Sequence, residues 1–386
     1  MPGLVIAPRA RIFHGHEWIY GSEVKKVFGE PSPGDVITLK DFRDRPLGSA
    51  IYNPNSQIIA RRFSRRRQDL DQDFFIRRIR QAVEYRQHLA LDESLCRLVW
   101  SESDGLPGLI VDRYGAHLVV QTLTLAMHQR LELIINALVE LVPVDSMLLR
   151  NDSPVLRAEG IENEIRMLHG HQPPAFRVKT HEIEYEIDLF DGQKTGLYLD
   201  QLASHQQVAR LATDKRVLDC FTNQGGFALA AARAGATSVT AVDISSSACE
   251  ATRRNAEINA LPVEVKEANV FDFLKQDEEE YDLIVLDPPS FTRNKKTLRD
   301  AMRGYKEIHL RALKRLAKGG ILSTFCCSHH ASREDFLSNL VSASVDAKKS
   351  IRLLSEHSQR ADHPVLPAIP ETHYLKGFSV EVIPSR

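Results

Sequence analysis

Residues 321–330, ILSTFCCSHH, place two of the chain's five cysteines, a serine and two histidines directly after an apolar run. Such a string has three readings: metal ligands, a nucleophile, or the buried end of a strand. A tetrahedral zinc site needs three or four converging ligands. Adjacent cysteines followed by adjacent histidines cannot surround one ion, so no metal is expected. Free cysteine also packs as a small hydrophobe. The nucleophile reading therefore depends on what other residues bring to the same place. In an extended chain neighbouring side chains face opposite ways, so Cys326 and Cys327 cannot both address one substrate.

A second string, RVLDCFTNQGGFALAAARAGA (216–236), reads as a strand, a glycine-containing turn and a helix. The next strand, TSVTAVDIS (237–245), ends in Asp243, 24 residues after Asp219. That is near the interval at which a ribose-binding acid follows a nucleotide-binding turn. The turn is not G-x-G-x-x-G. Asp219 stands where the first glycine would be, and Gly225 and Gly226 come late. Pyrophosphate needs the bare amides of a helix N-terminus, whereas an acid inside the loop suits a cationic ligand. S-adenosylmethionine carries an ammonium, a sulfonium and a ribose, and fits. A nicotinamide dinucleotide does not, because the phosphate-binding glycines are missing.

The third string is YDLIVLDPPSF (281–291). Two prolines stop the strand sharply and leave Asp287 at the carboxyl edge, where ligands bind in open α/β sheets. With a methyl sulfonium as the second reactant, the thiol gains a purpose. Carbon 5 of a pyrimidine is too electron-poor to take a methyl group unaided. A thiolate added at carbon 6 makes carbon 5 nucleophilic, and covalent catalysis then divides one hard step into two. The target base must be unstacked or flipped for such chemistry.

These strings need elements to hold them. From about residue 178, short apolar strands alternate with helical patterns. They include RVLDCF, GFALAAARAG, SVTAVDIS, SACEATRRNAEIN, VEVKEANV, YDLIVLD, TLRDAMRGYKEIHLRALKRLA and GGILSTFCCS. This predicts an α/β, Rossmann-like, doubly wound and mostly parallel sheet over 178–386. Residues 1–70 are rich in short β-runs bounded by turn residues and predict a small β-domain. It ends in RRFSRRR, where Arg61, Arg62, Arg65, Arg66 and Arg67 form a candidate phosphate-contacting patch. Residues 71–177 open with a helical pattern in DLDQDFFIRRIRQAVEYRQHL, then mix strands and helix, and predict a central α+β domain.

The strand–turn–helix around Asp219 resembles class I S-adenosylmethionine-dependent methyltransferases. The whole chain resembles the bacterial 23S rRNA cytosine-C5 methyltransferases of the large-subunit methyltransferase I type. The strings that carry this are RARIFHGHEWIYGSEV (9–24), SESDGLPGLIVDRYG (101–115), DGQKTGLYLDQ (191–201), CSHH after STF, and ADHPVLPAIPETHYLKGF (361–378). The resemblance implies a PUA domain over 1–70 for RNA contact and a class I methyltransferase domain over 178–386. It implies a methionine-side pocket from Asp219, Phe221, Asn223, Gly225 and Gly226, with Asp243 on the ribose hydroxyls. Gln193, Lys194, Thr195, Gly196 and Tyr198 would lie near the cofactor. Asn269 stands where an Asp usually faces the adenine amine, and Asp287 would meet both cofactor and flipped base. In DPPSF, Ser290 is inserted before Phe291. Cys327 is implied as the nucleophile, and Cys326 is extra. A homodimer is expected from the family alone.

Bulk composition sets limits. The net charge is −1, so any anion-binding surface must be local. Five scattered cysteines do not form a disulfide framework and fit a reducing compartment. No signal peptide, no membrane-spanning run and no membrane partner are expected, and the cytoplasm is the expected location. RNA is the expected partner, as 23S rRNA or a large-subunit assembly intermediate. Two other functions are compatible with these residues: N-methylation of a purine through Asp-Pro-Pro, or RNA binding without catalysis.

Overall fold

The computed structural model describes residues 2–190, 196–291 and 297–384. The chain divides into two compact units. The first comprises 1–176, 187–199 and 361–372, and the second 177–186, 200–360 and 373–386. The stretch 178–386 is therefore not one uninterrupted body: two of its segments pack with the first unit.

The first unit contains two sheets. The N-terminal sheet has six strands, from Gly3–Ile6 to Ile58–Ser64. Its alternating apolar residues close over Leu4, Ile6, Ile19, Ile37, Leu39 and Ala60. The other sheet has five strands between Leu95 and His169. Helices Gln72–His88 and Leu131–Leu141 pack in its core, through Phe74, Phe75 and Ile79 from the first and Ile134 and Leu138 from the second. Asp71 caps the longer helix by accepting the Phe74 N–H, which satisfies one of the N–H groups a helix start leaves bare.

The second unit is built on one seven-stranded sheet. Its strands are β1 (Arg216–Cys220), β2 (Ser238–Asp243), β3 (Glu264–Glu267), β4 (Tyr281–Leu286), β5 (Leu316–Cys326), β6 (Ser350–Ser358) and β7 (Lys376–Ile383). Between them run helices α1 (Gly226–Arg233), α2 (Ser246–Ile258), α3 (Val270–Gln276), α4 (Leu298–Arg315) and α5 (Arg333–Asp346). The spatial order is β3-β2-β1-β4-β5-β7-β6. Strands β1 to β5 pair in parallel, and β7 enters antiparallel between β5 and β6. The chain reverses its direction of travel between β1 and β4, so the crevice for a ligand opens at those carboxyl ends.

The strands read as continuous apolar runs because both faces are covered. One face packs Leu218, Ile284 and Leu322 against Tyr305, Ile308 and Phe336. The other packs Val217, Leu283 and Phe325 against Phe227 and Val208. At the start of α1 the helix Leu202–Ala209 comes so close that a Cβ on Gly226 would lie 2.3 Å from Cε1 of His205. His205 is buried edge-on against Phe227. Burial pushes its imidazole down to about 4, so the ring is a neutral packing element at pH 7. It has no room to yield. Gly226→Ala should therefore cost about 1–3 kcal/mol, read as a lower urea midpoint, and the penalty should shrink in a His205→Ala background.

Candidate active site

The loop after β1 is the most constrained part of the second unit. Asp219 is fully buried. Its Oδ2 accepts the Thr222 hydroxyl at 2.7 Å and the Ala228 N–H at 3.0 Å, tying strand, loop and helix start together. Three residues of the turn have left-handed backbones: Phe221 (φ 63°), Asn223 (φ 53°) and Gly225 (φ 85°). For the two that are not glycine this costs on the order of 1–3 kcal/mol each, and such strain concentrates where a ligand must be met. The turn is held from outside by Phe221 and Thr222 N–H groups donating to the Val242 carbonyl. The Thr252 hydroxyl donates to the Asn223 carbonyl.

Asp219 Oδ1 is buried and has no hydrogen-bond partner among the described residues. Burial drives this carboxyl up to about 7, against the two hydrogen bonds on Oδ2, which pull it down; nearby Asp243 adds to the rise. A buried carboxylate with an unsatisfied oxygen suits a cationic ligand. The ammonium of S-adenosylmethionine meets that requirement. At the end of β2, Asp243 is half-buried and accepts the N–H groups of Asn223 at 3.1 Å and Ser245 at 2.9 Å. Its remaining lone pairs are compatible with ribose hydroxyls. Ile244 beside it is 63% exposed, an apolar side chain available to a flat ring.

Asn269 lies between β3 and α3. It caps α3, and its side-chain oxygen accepts the N–H groups of Phe271 and Asp272 at 2.9 and 3.3 Å. At the end of β4, the Asp287 N–H donates to the Cys220 carbonyl at 3.3 Å, joining the two strand ends across the crevice. Asp287 Oδ2 accepts the Gln201 amide at 3.1 Å. Gln201 is buried, and its own Oε1 has no partner among the described residues. Two acceptors thus sit together at the crevice. Phe291 packs against Tyr305, with ring centroids 4.6 Å apart, and joins the core rather than the crevice mouth.

Strand β5 ends at Cys326, which is fully buried, while Cys327 is partly exposed. Gly196 and Tyr198 belong to the first unit. Gly196 is left-handed at φ 137°, and the Tyr114 hydroxyl brackets the next residue by donating to the Leu197 carbonyl and accepting its N–H. Gln193, Lys194 and Thr195 lie outside the described residues.

Residues 9–65 match the PUA-like domain family, and 162–369 match the S-adenosylmethionine-dependent methyltransferase family. A relative from Erwinia tasmaniensis, a ribosomal RNA large subunit methyltransferase I, is 38% identical over 378 residues, 95% of this chain and 96% of the relative. One of the same name from Klebsiella pneumoniae is 38% identical over 394 residues, 99% and 98% of the two chains. This chain belongs to the large subunit methyltransferase I family. Members of it are S-adenosylmethionine-dependent methyltransferases, and the α/β core with its β-rich N-terminal domain is the fold expected from the sequence. Two solved structures share the fold at a TM-score of 0.85, each covering 99% of this chain and 100% of its own. One is a Streptococcus mutans protein described as an S-adenosylmethionine-dependent methyltransferase, at 21% identity. The other, at 22% identity, is a methyltransferase solved with S-adenosylhomocysteine.

For a family member with this loop, cofactor affinity should depend on the charge of Asp219. The ionised form is present above about pH 7 and is lost as the pH falls through that value. Binding of S-adenosylhomocysteine, which keeps the ammonium, should weaken about tenfold from pH 8 to pH 6. Calorimetry at both values checks this, and Asp219→Asn should bind weakly at both and remove most of the pH dependence.

Proposed function

We propose that this protein methylates carbon 5 of a cytosine in large-subunit ribosomal RNA, with Cys327 as the nucleophile. The observation that carries the reading is the pair of strand ends. Asp287 and the partly exposed Cys327 follow neighbouring parallel strands, β4 and β5, at the same edge as the cofactor loop. The relatives' name supplies the RNA class.

S-adenosylmethionine, when bound, supplies an electrophilic methyl group on a cationic sulfur. The protein's own residues do the rest. Asp219 would hold the ammonium and Asp243 the ribose, while Asp287 accepts the exocyclic amine of the base. The Cys327 thiolate adds to carbon 6, forming a C–S bond as the carbon 5–carbon 6 π pair moves onto the ring. The electron pair now at carbon 5 forms the bond to the methyl group as the methyl–sulfur bond would break, leaving the sulfur as a neutral thioether. Loss of the carbon 5 proton to a base then restores the double bond and expels the thiolate. The substrate nucleotide must leave its stack to reach this edge.

RNA would be gathered by the N-terminal domain, but not by all five arginines. Arg62 is buried and ion-paired with Glu17. Arg61 donates to Glu102 at 2.6 Å and lies over the Trp18 ring at 4.9 Å. Burial alone would push Glu102 up, yet the Arg61 guanidinium, with hydrogen bonds from Ser101 and Trp18, holds it below the usual carboxylate range. Arg65, Arg66 and Arg67 are exposed and remain the phosphate-contacting candidates. The reading includes a cytoplasmic site of action. Among the described residues no helix is long and apolar enough to cross a membrane.

Purified protein incubated with S-adenosylmethionine and rRNA from a strain lacking the enzyme should yield 5-methylcytidine by nucleoside mass spectrometry. Cys327→Ala should abolish the product, and Cys326→Ala should retain it. A methylated purine that survives Cys327→Ala would reject the thiolate route. Replacing Arg65, Arg66 and Arg67 with alanine should reduce the slope of log affinity against log salt by up to about 3. Arg61→Ala should instead destabilise the fold by about 3–5 kcal/mol, because it strands a buried Glu102 charge.

A further inference from the structure

Lys376 is the first residue of β7 and only 5% exposed. The antiparallel register sets it directly opposite Cys326, the last residue of β5. Residues opposite one another in such a pair project from the same face, so the lysine stem runs along the end of the cysteine strand. Its ammonium donates to the carbonyls of Ser328, at 2.5 Å, and Ala331, at 2.9 Å. Both carbonyls belong to the short loop that follows Cys327. An ammonium has three donors, so these two bonds leave one uncommitted. None of the described carboxylates forms an ion pair with it. Burial lowers its pKa from the ordinary lysine value, and Cys326 and Cys327 in their thiolate forms act against that fall and favour the charged ammonium.

Tyr305, from α4, faces the same two thiols. Its hydroxyl is buried and finds no hydrogen-bond partner among the described residues. Burial, then the neighbouring thiols, raise its ionisation well above the ordinary value, so it stays a neutral donor. Among the described residues, the titratable groups tied to Cys327 are Lys376 from β7 and Tyr305 from α4, with Cys326 before it on its own strand, His329 after it in its loop and Asp287 at the end of the neighbouring β4. His373 lies behind Lys376, and burial followed by that lysine's charge lowers its pKa. A buried ammonium without a carboxylate partner leaves an unbalanced positive charge, and a thiol beside a lysine ionises more readily.

We infer that Lys376 is a positioning residue for the reaction. It staples the loop that carries Cys327 and supplies the positive charge that holds its sulfur as a thiolate. The inference rests on the reading of Cys327 as the nucleophile. Without Lys376, the thiol would lose the nearby positive charge that favours its ionised, reactive form.

The test reads ionisation of the sulfur directly. In a Cys326→Ala background, so that the peptide carries one cysteine, Cys327 is alkylated with iodoacetamide across a pH series and quantified by peptide mass spectrometry. The midpoint for the folded protein should lie below that of the same chain unfolded in guanidinium. Lys376→Met should raise the midpoint by about one pH unit or more, so that alkylation at pH 7 slows about tenfold. Equal midpoints in folded and unfolded chains would overturn the inference without any Lys376 variant, so a variant that fails to fold does not shield it. An unchanged midpoint in a folded Lys376→Met protein would overturn it too. Methylation assays on Cys327→Ala separate the two readings. Product surviving that change removes the nucleophile, whereas lost product with an unchanged Lys376→Met midpoint removes only the role of the lysine.

Discussion

One buried carboxylate organises the second unit. Asp219, next to last in β1, receives the Thr222 hydroxyl and the Ala228 amide on one oxygen, and leaves the other unsatisfied. Those two bonds force the chain through a turn with two strained non-glycine residues and start α1 against Gly226. The oxygen left unfilled lies in the same buried setting that raises the carboxyl's pKa against those two bonds. A buried carboxylate oxygen without a partner is costly to the fold.

The reaction edge depends on a second device, the antiparallel strand. A purely parallel sheet would end with β5 at its rim, and the loop after Cys327 would have no neighbour along the sheet. Strand β7 runs the other way, so its first residue, not its last, arrives beside Cys326. A side chain near the C-terminus thereby reaches the loop that follows a strand about fifty residues earlier. Cys326 and Lys376 come from different parts of the chain and meet through strand register.

Much of the parallel core was legible from local pattern. Asp219, Asp243 and Asp287 each close a short apolar run, and a buried parallel strand has few other places to put a carboxylate. What local pattern could not supply was anything decided by distant partners. Arg61 and Arg62 read as a surface patch beside Arg65, yet Glu102 and Glu17 draw them inward. The cap that Asn269 gives α3 likewise depends on the helix that follows it. Gln201 and Lys376 carry no signal of their own: one is an amide in a turn-like string, the other a lysine before a glycine. Their meaning appears only when the chain brings Asp287 and Cys326 beside them. Helix α5 and strands β6 and β7 were not read as elements from the sequence.

The chain passes between the two units more than once. After β6 it leaves the second unit, and residues 361–372 pack with the first before the chain returns as β7. Asp362, in that excursion, is fully buried, accepts the Arg97 N–H and offers its carbonyl to Arg86. No single cut of the polypeptide separates the two units intact, and the strand that bears Lys376 is tethered on its N-terminal side to a segment that the other unit holds.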